Sequence, residues 1–181
     1  EILKNIGTDA LEISFEEFEK IIKNSSKMIK GLLMDQSKIS GIGNIYANEI
    51  LFVARINPKT KANNLTNKQI KSLYKSITKV LKRAFKFNGS SISSFITTKA
   101  QKGDYQKHFY IYGKNGKKCP RDKGIIQKIN LFSRATYFCP ICQKWFQAQN
   151  EKCQEKINAK WKMKNFLSFE HWNLPCGIIL Q

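Results

Sequence analysis

The feature that most constrains the fold is a change in the spacing of apolar residues near position 109. Before it, apolar side chains recur every three or four residues, which is the spacing of one buried face of an α-helix. After it, they fall in short runs separated by turn-forming residues, which is typical of β-strands. The chain is therefore predicted to be mainly α-helical, with a small β-hairpin after the helices.

Four helices are predicted, each from its apolar face and its end signals. Ser14 begins a capping-box pattern, and Asn44 is predicted to be the N-cap of the third helix. Asn57-Pro58 and Asn88-Gly89 end the third and fourth helices. The predicted helices lie at residues 15 to 24, around Ile29 to Leu33 and before Gly41-Ile42-Gly43, from Ile45 to Ala54, and from Thr66 to Ala84.

The remaining predicted elements are a loop and three β-type runs. The Ser-rich joint from Ser90 to Ser94 and the polar residues from Gln101 to Tyr105 predict a mobile loop. The β-type runs are Phe109 to Tyr112, Ile125 to Leu131 and Ala135 to Phe138. A tight hairpin turn is predicted between the last two runs, with Arg134 at its tip.

The charge of the chain points to a polyanionic partner. Lys and Arg total 32 against 13 acidic residues, a net charge of +19. Solubility of a small domain needs only about 2 to 8 charges, so the excess favours nucleic acid. The chain has no apolar run of membrane-spanning length and no signal-peptide pattern at Glu1 to Lys4. We expect a monomeric, cytoplasmic protein that does not bind membranes.

The cysteines indicate a metal site. Five cysteines, an odd number, argue against a secreted disulfide framework. Cys139-Pro140-Ile141-Cys142 has the spacing of a zinc knuckle, which needs a second pair of ligands to complete a tetrahedron. The alternative is that the cysteines are buried free thiols.

A longer motif surrounds the third helix. A glycine-containing turn that leads into a helix presents free N–H groups and the positive end of the helix dipole. The strings are Leu32-Leu33-Met34-Asp35-Gln36, Gly41-Ile42-Gly43-Asn44-Ile45-Tyr46-Ala47-Asn48-Glu49, Leu51-Phe52 and Ile56-Asn57-Pro58. Together they resemble the helix-two-turn-helix signature of the formamidopyrimidine-DNA glycosylase and endonuclease VIII family. The resemblance implies that Asn44, with Gly43, binds a DNA phosphate beside a lesion.

Two further strings are similar to the loop and finger entrance of that family. They are Lys102-Gly103-Asp104-Tyr105-Gln106 and Phe109-Tyr110-Ile111-Tyr112-Gly113-Lys114-Asn115-Gly116. The resemblance implies that Lys102 and Tyr105 contact DNA and hold an everted oxidised purine, because a base must leave the stack before its bond is reached. The alternative is that these loop residues are only solvated.

The resemblance also implies a zinc-finger hairpin. In the family spacing, Cys119 and Asp122 take the first two ligand positions, ahead of Cys139 and Cys142, so one thiolate is replaced by a carboxylate. We expect one zinc ion, bound more weakly than by four cysteines; Cys153 is an alternative fourth ligand. Arg134, by resemblance, contacts DNA around the flipped base and is the catalytic proton donor of the second elimination; the alternative is a solvent-exposed turn arginine.

The resemblance covers residues 3 to 144 and implies a bifunctional glycosylase and AP lyase acting on double-stranded DNA with an oxidised base or abasic site. Its N-terminal proline nucleophile has no counterpart at Glu1-Ile2-Leu3. We therefore expect these residues alone to bind DNA without excising bases. The predicted parts are an interdomain linker at 1–13, the helix-two-turn-helix domain at 14–100, the loop and finger at 101–144, and an unassigned extension at 145–181. Alternatives are a non-catalytic nucleic-acid-binding module and a basic structural protein that binds structured RNA.

Overall fold

A computed structural model of the protein describes residues 6–89 and 103–144. In these ranges the fold is mainly helical with a β-hairpin near its end, as predicted. The helices and strands are β1 Thr8–Asp9, α1 Phe15–Lys23, α2 Ile29–Leu33, β2 Ile39–Ser40, α3 Asn44–Ala54, α4 Asn67–Lys86, β3 Gln127–Leu131 and β4 Arg134–Phe138. Short 3-10 turns occur at Ala62–Asn64 and Tyr105–His108.

The predicted capping residues begin α1 and α4. The Ser14 side chain accepts a hydrogen bond from the Glu17 N–H, and Thr66 forms a reciprocal capping box with Gln69. Both helices are strongly amphipathic, and α4 packs against α1 and α3. The main core lies between these helices and includes the fully buried Phe18, Leu33, Ile50, Leu73 and Ile77. Each such side chain stabilises the fold by about 1.5–3 kcal/mol relative to exposure.

Helix α3 is apolar on most of its surface and lies between α4 and the hairpin. Its N-cap is Gly43, whose backbone is extended, and Asn44 is already the first helical residue. The prediction that Asn44 is the N-cap is therefore wrong by one position. Arg55 ends the helix in the left-handed conformation, at a φ of 60°, ahead of Asn57-Pro58 as expected.

The segment predicted to be a linker contains the first strand. Thr8 and Asp9 pair in parallel with Ile39 and Ser40 of β2, and the Gly7 N–H donates to the Gln36 carbonyl at 2.8 Å. Ala10 and Ile13 follow as buried core residues. The helical domain therefore includes residues before position 14, the boundary predicted from the sequence.

The hairpin of β3 and β4 is antiparallel and closes through Phe132 and Ser133. Both have positive φ, 54° and 56°, which is the conformation of a type I′ turn and matches the twist of the strands. The predicted tight turn is confirmed. The placement of Arg134 at its tip is wrong, because Arg134 is the first residue of β4 and pairs with Leu131.

The predicted β-type run at Phe109 to Tyr112 is also wrong. These residues form bends and turns, because the Glu49 carboxylate accepts the backbone N–H groups that a strand partner would otherwise bind.

Backbone contacts group the described residues into one compact unit. The helical and finger parts, predicted as separate domains, thus belong to the same unit. The predicted extension at 145–181 lies outside the described residues. Among the helices that the structure describes, none has the length and apolar character that crossing a membrane requires.

Candidate nucleic-acid interface

The turn before α3 is braced by the side chain of Gln36. Its Nε2 donates to the Ile42 carbonyl at 2.9 Å, and its Oε1 accepts the Gly41 N–H at 3.0 Å. Gly41 has a φ of 88°, a conformation that L side chains rarely adopt. A glycine and one amide side chain therefore set the direction in which the chain enters α3.

The N-terminus of α3 has the properties of an anion site. Gly43 has no side chain that could cap the helix, so the N–H groups of the first turn of α3 are left for another acceptor. Asn44 is half-buried there, and its Nδ2 lies 3.4 Å from the hydroxyl oxygen of Tyr112. A positive helix end, an amide and a phenol thus lie at one place, and the free N–H groups and dipole of the helix end favour an anion such as a phosphate oxygen.

Asn48 links this site to the hairpin. Its Nδ2 donates to the Asn44 carbonyl at 2.7 Å, and its Oδ1 accepts the Tyr137 N–H of β4 at 2.7 Å. A side chain one turn into α3 therefore fixes the strand that begins with Arg134.

Lys30 of α2 makes a second link to β4. It is fully buried, and its Nζ donates to Thr136 Oγ1 at 2.6 Å and to the Ala135 carbonyl at 3.2 Å. Burial, together with the positive charge of Arg134, lowers the pKa of Lys30 to about 8. Because its partners directly follow Arg134 in sequence, Lys30 helps to set the position of that arginine.

Glu49 holds the entrance to the finger. Its carboxylate accepts the N–H groups of Tyr110, Ile111 and Tyr112 at 2.8, 2.9 and 2.9 Å. Burial raises the pKa of Glu49, and the N–H groups of Ile111 and Tyr112 oppose that rise. The three bonds fix the backbone of Tyr112 beside Asn44.

Cys119, Asp122, Cys139 and Cys142 form one compact group whose ligand atoms all lie within 4.8 Å of one another. The Sγ atoms of Cys119 and Cys142 are 3.9 Å apart, and Cys139 Sγ is 3.3 Å from Asp122 Oδ1. Tetrahedral zinc with three sulfur ligands and one oxygen ligand requires separations of about 3.5–3.8 Å. The donor set therefore fits zinc. Burial, together with the neighbouring Cys139 and Cys119, raises the pKa of the Cys142 thiol well above its ordinary value.

The cysteine group is anchored to the end of α3 by Gln143 and Arg121. The Gln143 side chain accepts the Cys139 N–H and donates to the Ile56 carbonyl, both at 2.9 Å, while Asn57 Nδ2 donates to the Gln143 carbonyl at 3.0 Å. Arg121 stacks on the Phe52 ring and donates to carbonyls at the C-terminal end of α3. Finger and helix are thus held together at both ends of α3.

The comparison with protein families decides what kind of domain this is. The family model described as the formamidopyrimidine-DNA glycosylase H2TH domain matches residues 6–96. The chain belongs to the formamidopyrimidine-DNA glycosylase family. A relative of that name from Lactobacillus delbrueckii is 42% identical over 144 residues, which are 78% of this chain and 53% of the relative. One from Mycoplasma mobile is 40% identical over 132 residues, 73% of this chain and 48% of the relative.

Solved structures of the family have the same fold. A Lactococcus lactis Fpg in complex with DNA containing an abasic site matches with a TM-score of 0.73 at 36% identity, over 80% of this chain and 54% of that one. A MutM in complex with DNA containing carbocyclic 8-oxo-G matches with a TM-score of 0.72 at 37% identity, over 80% and 53% of the two chains. The chain thus spans about half the length of the glycosylases that it matches.

The structure brings together most of the residues predicted from the family resemblance. Gly43 and Asn44 form the turn-to-helix site, and Arg134 is exposed at the start of β4. The four predicted zinc ligands form one group. Lys102 and the alternative ligand Cys153 lie outside the described residues.

Tyr105 is not placed as predicted. It is fully buried, with its ring against Phe87, Phe109 and Tyr46, so in this structure it is a core residue and is not available as an exposed DNA contact. The physical reason is backbone hydrogen bonding. The N–H groups of Asp104 and Tyr105 donate to the carbonyls of Phe87 and Gly89, which holds this segment against the C-terminal end of α4.

Sequence reasoning missed the residues that position the site. These are Lys30, Asn48, Glu49 and Gln143, all buried and all hydrogen-bonded to the finger or its entrance. A signal for two of them was present, because Asn48 and Glu49 interrupt an otherwise apolar helix and a buried polar side chain needs a partner.

Proposed function

We propose that this chain is the DNA-binding C-terminal portion of a bifunctional DNA glycosylase and AP lyase that removes oxidised purines in base-excision repair. The observation that carries the proposal is the contact of Asn44 with Tyr112 at the start of α3, joined through Asn48 to the strand that bears Arg134. The names of the relatives and the DNA in the matching complexes support it. The partner is double-stranded DNA with an oxidised base or abasic site, bound by a cytoplasmic monomer.

In this proposal the site residues have different roles. Gly43 and Asn44 hold a phosphate beside the lesion through backbone N–H groups and the Asn44 amide. The guanidinium of Arg134 contacts DNA around the gap that the flipped base leaves, and donates the proton to the leaving phosphate in the second elimination. Lys102 remains a predicted contact to the everted base.

Binding to two matched duplexes tests the proposal. Arg134→Ala is expected to weaken binding to a duplex with an abasic-site analogue by about tenfold or more, and binding to the intact duplex by less. Asn44→Ala is expected to weaken both. The matched control is Lys20→Ala, which removes one exposed charge on α1 and is expected to change neither affinity by more than about twofold. Equal losses with both duplexes for Arg134→Ala would contradict its role at the gap.

We also propose that Cys119, Asp122, Cys139 and Cys142 hold one zinc ion, which would fix the two ends of the finger to each other. Metal analysis of the purified chain is expected to give one equivalent of zinc. Asp122→Ala is expected to lower the zinc affinity by about tenfold or more, and Asp122→Cys to raise it, because a thiolate is the softer ligand. Well under one equivalent in the unaltered chain would contradict the proposal.

A further inference from the structure

Helix α4 carries a stripe of six lysines on its outer face. They lie three or four residues apart, at Lys68, Lys71, Lys75, Lys79, Lys82 and Lys86, and all are exposed. At 3.6 residues per turn they fall within an arc of about 80° and run for about 27 Å along the helix. We refer to these six residues as the lysine stripe.

The stripe faces away from the domain core. The buried residues of α4, among them Leu73, Ile77 and Val80, are centred on the opposite side of the helix, against α1 and α3. Among the residues that the structure describes, no stripe lysine takes part in an ion pair. The sequence has no acidic residue from position 50 to position 103. Within the described residues, the positive charge of the stripe is therefore not offset by an ion pair or by an acidic residue of its own helix.

An ordinary solvated helix face has a different pattern, and α1 provides the comparison. Glu16, Glu17 and Glu19 are interspersed there with Lys20 and Lys23, and Lys23 pairs with Glu19 at 2.9 Å. In the stripe, like charges occupy successive turns, and each neighbouring pair destabilises the helix. Several unfavourable pairs of like charges on one helix face indicate that this face has a role in binding.

Other polar side chains accompany the first half of the stripe on the exposed face of α4. Asn67 and Ser72 lie there beside Lys68, Lys71 and Lys75, and all five are exposed. Each of these side chains offers an N–H or O–H donor, and none is acidic. Ammonium, amide and hydroxyl donors together match the oxygen atoms of a phosphodiester.

We propose that the lysine stripe is a second DNA-binding surface, which takes the sugar-phosphate backbone of a duplex segment other than the one held at Asn44. Lysine is a point charge that neutralises phosphates without reading base edges, so the surface binds DNA of any sequence. Its length corresponds to about eight base-pair steps. The stripe lies on the side of α4 opposite to the side that packs against α3, the helix that carries Asn44, and a short duplex is too stiff to wrap around a helix. The chain therefore holds two DNA segments at once.

This inference rests on the proposed function only for the identity of the DNA segment that is held at Asn44. The probe is a pair of 20-bp duplexes. One carries an abasic-site analogue and is fixed to beads, and the other is intact and fluorescent. The 181-residue chain, loaded on the first duplex at a one-to-one ratio, is expected to capture the second. A stripe variant combines Lys71→Gln, Lys75→Gln and Lys79→Gln, and its matched control combines Lys20→Gln, Lys38→Gln and Lys61→Gln.

The stripe variant is expected to capture at least tenfold less of the second duplex and to bind the first within about threefold of the unaltered chain. Its slope of log affinity against log salt for the second duplex is expected to fall by about 2.7, which is about 0.9 for each lost phosphate contact. The control variant is expected to retain capture. These results together support the proposal.

Three outcomes overturn it: no capture by the unaltered chain, equal loss in both variants, or preferential capture of a structured RNA with the same number of phosphates. Failure of the proposed function gives a different result, since the chain would then not distinguish the abasic duplex from the intact one. In that case the experiment is repeated with an intact duplex on the beads and an intact fluorescent duplex in solution. The stripe variant and its control then still decide whether the stripe binds DNA.

Discussion

Single buried polar residues set the geometry of the interface. The side chains of Lys30, Asn48 and Glu49 extend from α2 and α3. Each forms hydrogen bonds with backbone or hydroxyl groups of the finger or its entrance. A buried polar group without a partner costs about 1–3 kcal/mol, so each of these contacts strongly favours the observed docking over alternatives. Positioning of Arg134 and Tyr112 thus depends on residues that need not touch DNA.

Glu49→Gln is expected to lower the free energy of unfolding by about 2–4 kcal/mol. A carboxylate accepts at both oxygens, whereas an amide presents an NH₂ group to one of the three N–H donors at Tyr110, Ile111 and Tyr112 and leaves it unpaired. Urea unfolding measures the change. The control is Glu16→Gln, at an exposed site on α1, which is expected to change stability by less than about 0.5 kcal/mol. A loss no larger than that of the control would contradict the role given to Glu49.

Lys30 is expected to make stability depend on pH above neutrality. Its pKa is about 8 in the folded protein against an ordinary value of 10.5, so between these values the folded chain has released a proton that the unfolded chain still holds. The contribution of Lys30 to the free energy of unfolding therefore rises with pH across that window.

Urea unfolding at pH 7, 8, 9 and 10 measures this contribution as the stability of the unaltered chain minus that of Lys30→Met. The difference is expected to increase from pH 8 upward. Lys20→Met, at an exposed position, supplies the control and is expected to give a flat difference. A flat difference for Lys30→Met would show that its ammonium is not destabilised by burial.

At the scale of elements, the hairpin docks on α2 as well as on α3. A Cβ atom built on Gly31 would lie 2.7 Å from Cζ of Phe132, so the aromatic ring at the hairpin turn rests on the bare backbone of the short helix. Phe132 is still 54% exposed and lies two residues before Arg134. Contact between Gly31 and Phe132 therefore fixes the turn next to that arginine.

Gly31→Ala is expected to displace the Phe132 ring, because the end of a side chain yields more easily than a helix backbone. We expect Gly31→Ala and Phe132→Ala each to weaken binding to the abasic duplex by about threefold to tenfold. The double variant is expected to be no weaker than the worse single variant, since both remove the same contact. Additive losses in this double-mutant cycle, measured by fluorescence anisotropy, would mean that the two residues act independently.

At the scale of the whole molecule, the net charge of +19 leads us to expect that the proposed DNA binding is mainly electrostatic. Six to ten lysine-phosphate contacts release enough counterions to lower affinity by about 10³ to 10⁵ between 50 and 200 mM salt. We expect a loss in this range for an intact duplex, measured by titration at several salt concentrations. A loss below tenfold would mean that few of the exposed lysines contact phosphates.

The sequence by itself determined where the helices lie, the turn before α3 and the grouping of the cysteines. Caps at Ser14 and Thr66, the glycine turn before Asn44 and the spacing of the cysteines are local signals, and local hydrogen bonding and helical periodicity are enough to interpret them. The grouping of Cys119, Asp122, Cys139 and Cys142 was predicted from the family spacing of these residues and is present in the structure.

Only the tertiary structure decided which residues hold those parts together. Lys30 binds Thr136 across 106 positions, and Glu49 binds Ile111 across 62. No local pattern specifies such pairs, because they depend on how α2 and α3 approach the finger. For the same reason Phe109 to Tyr112 has a strand-like composition but no strand. Tyr105 has a loop-like setting but is buried, since its surroundings are supplied by the far end of α4.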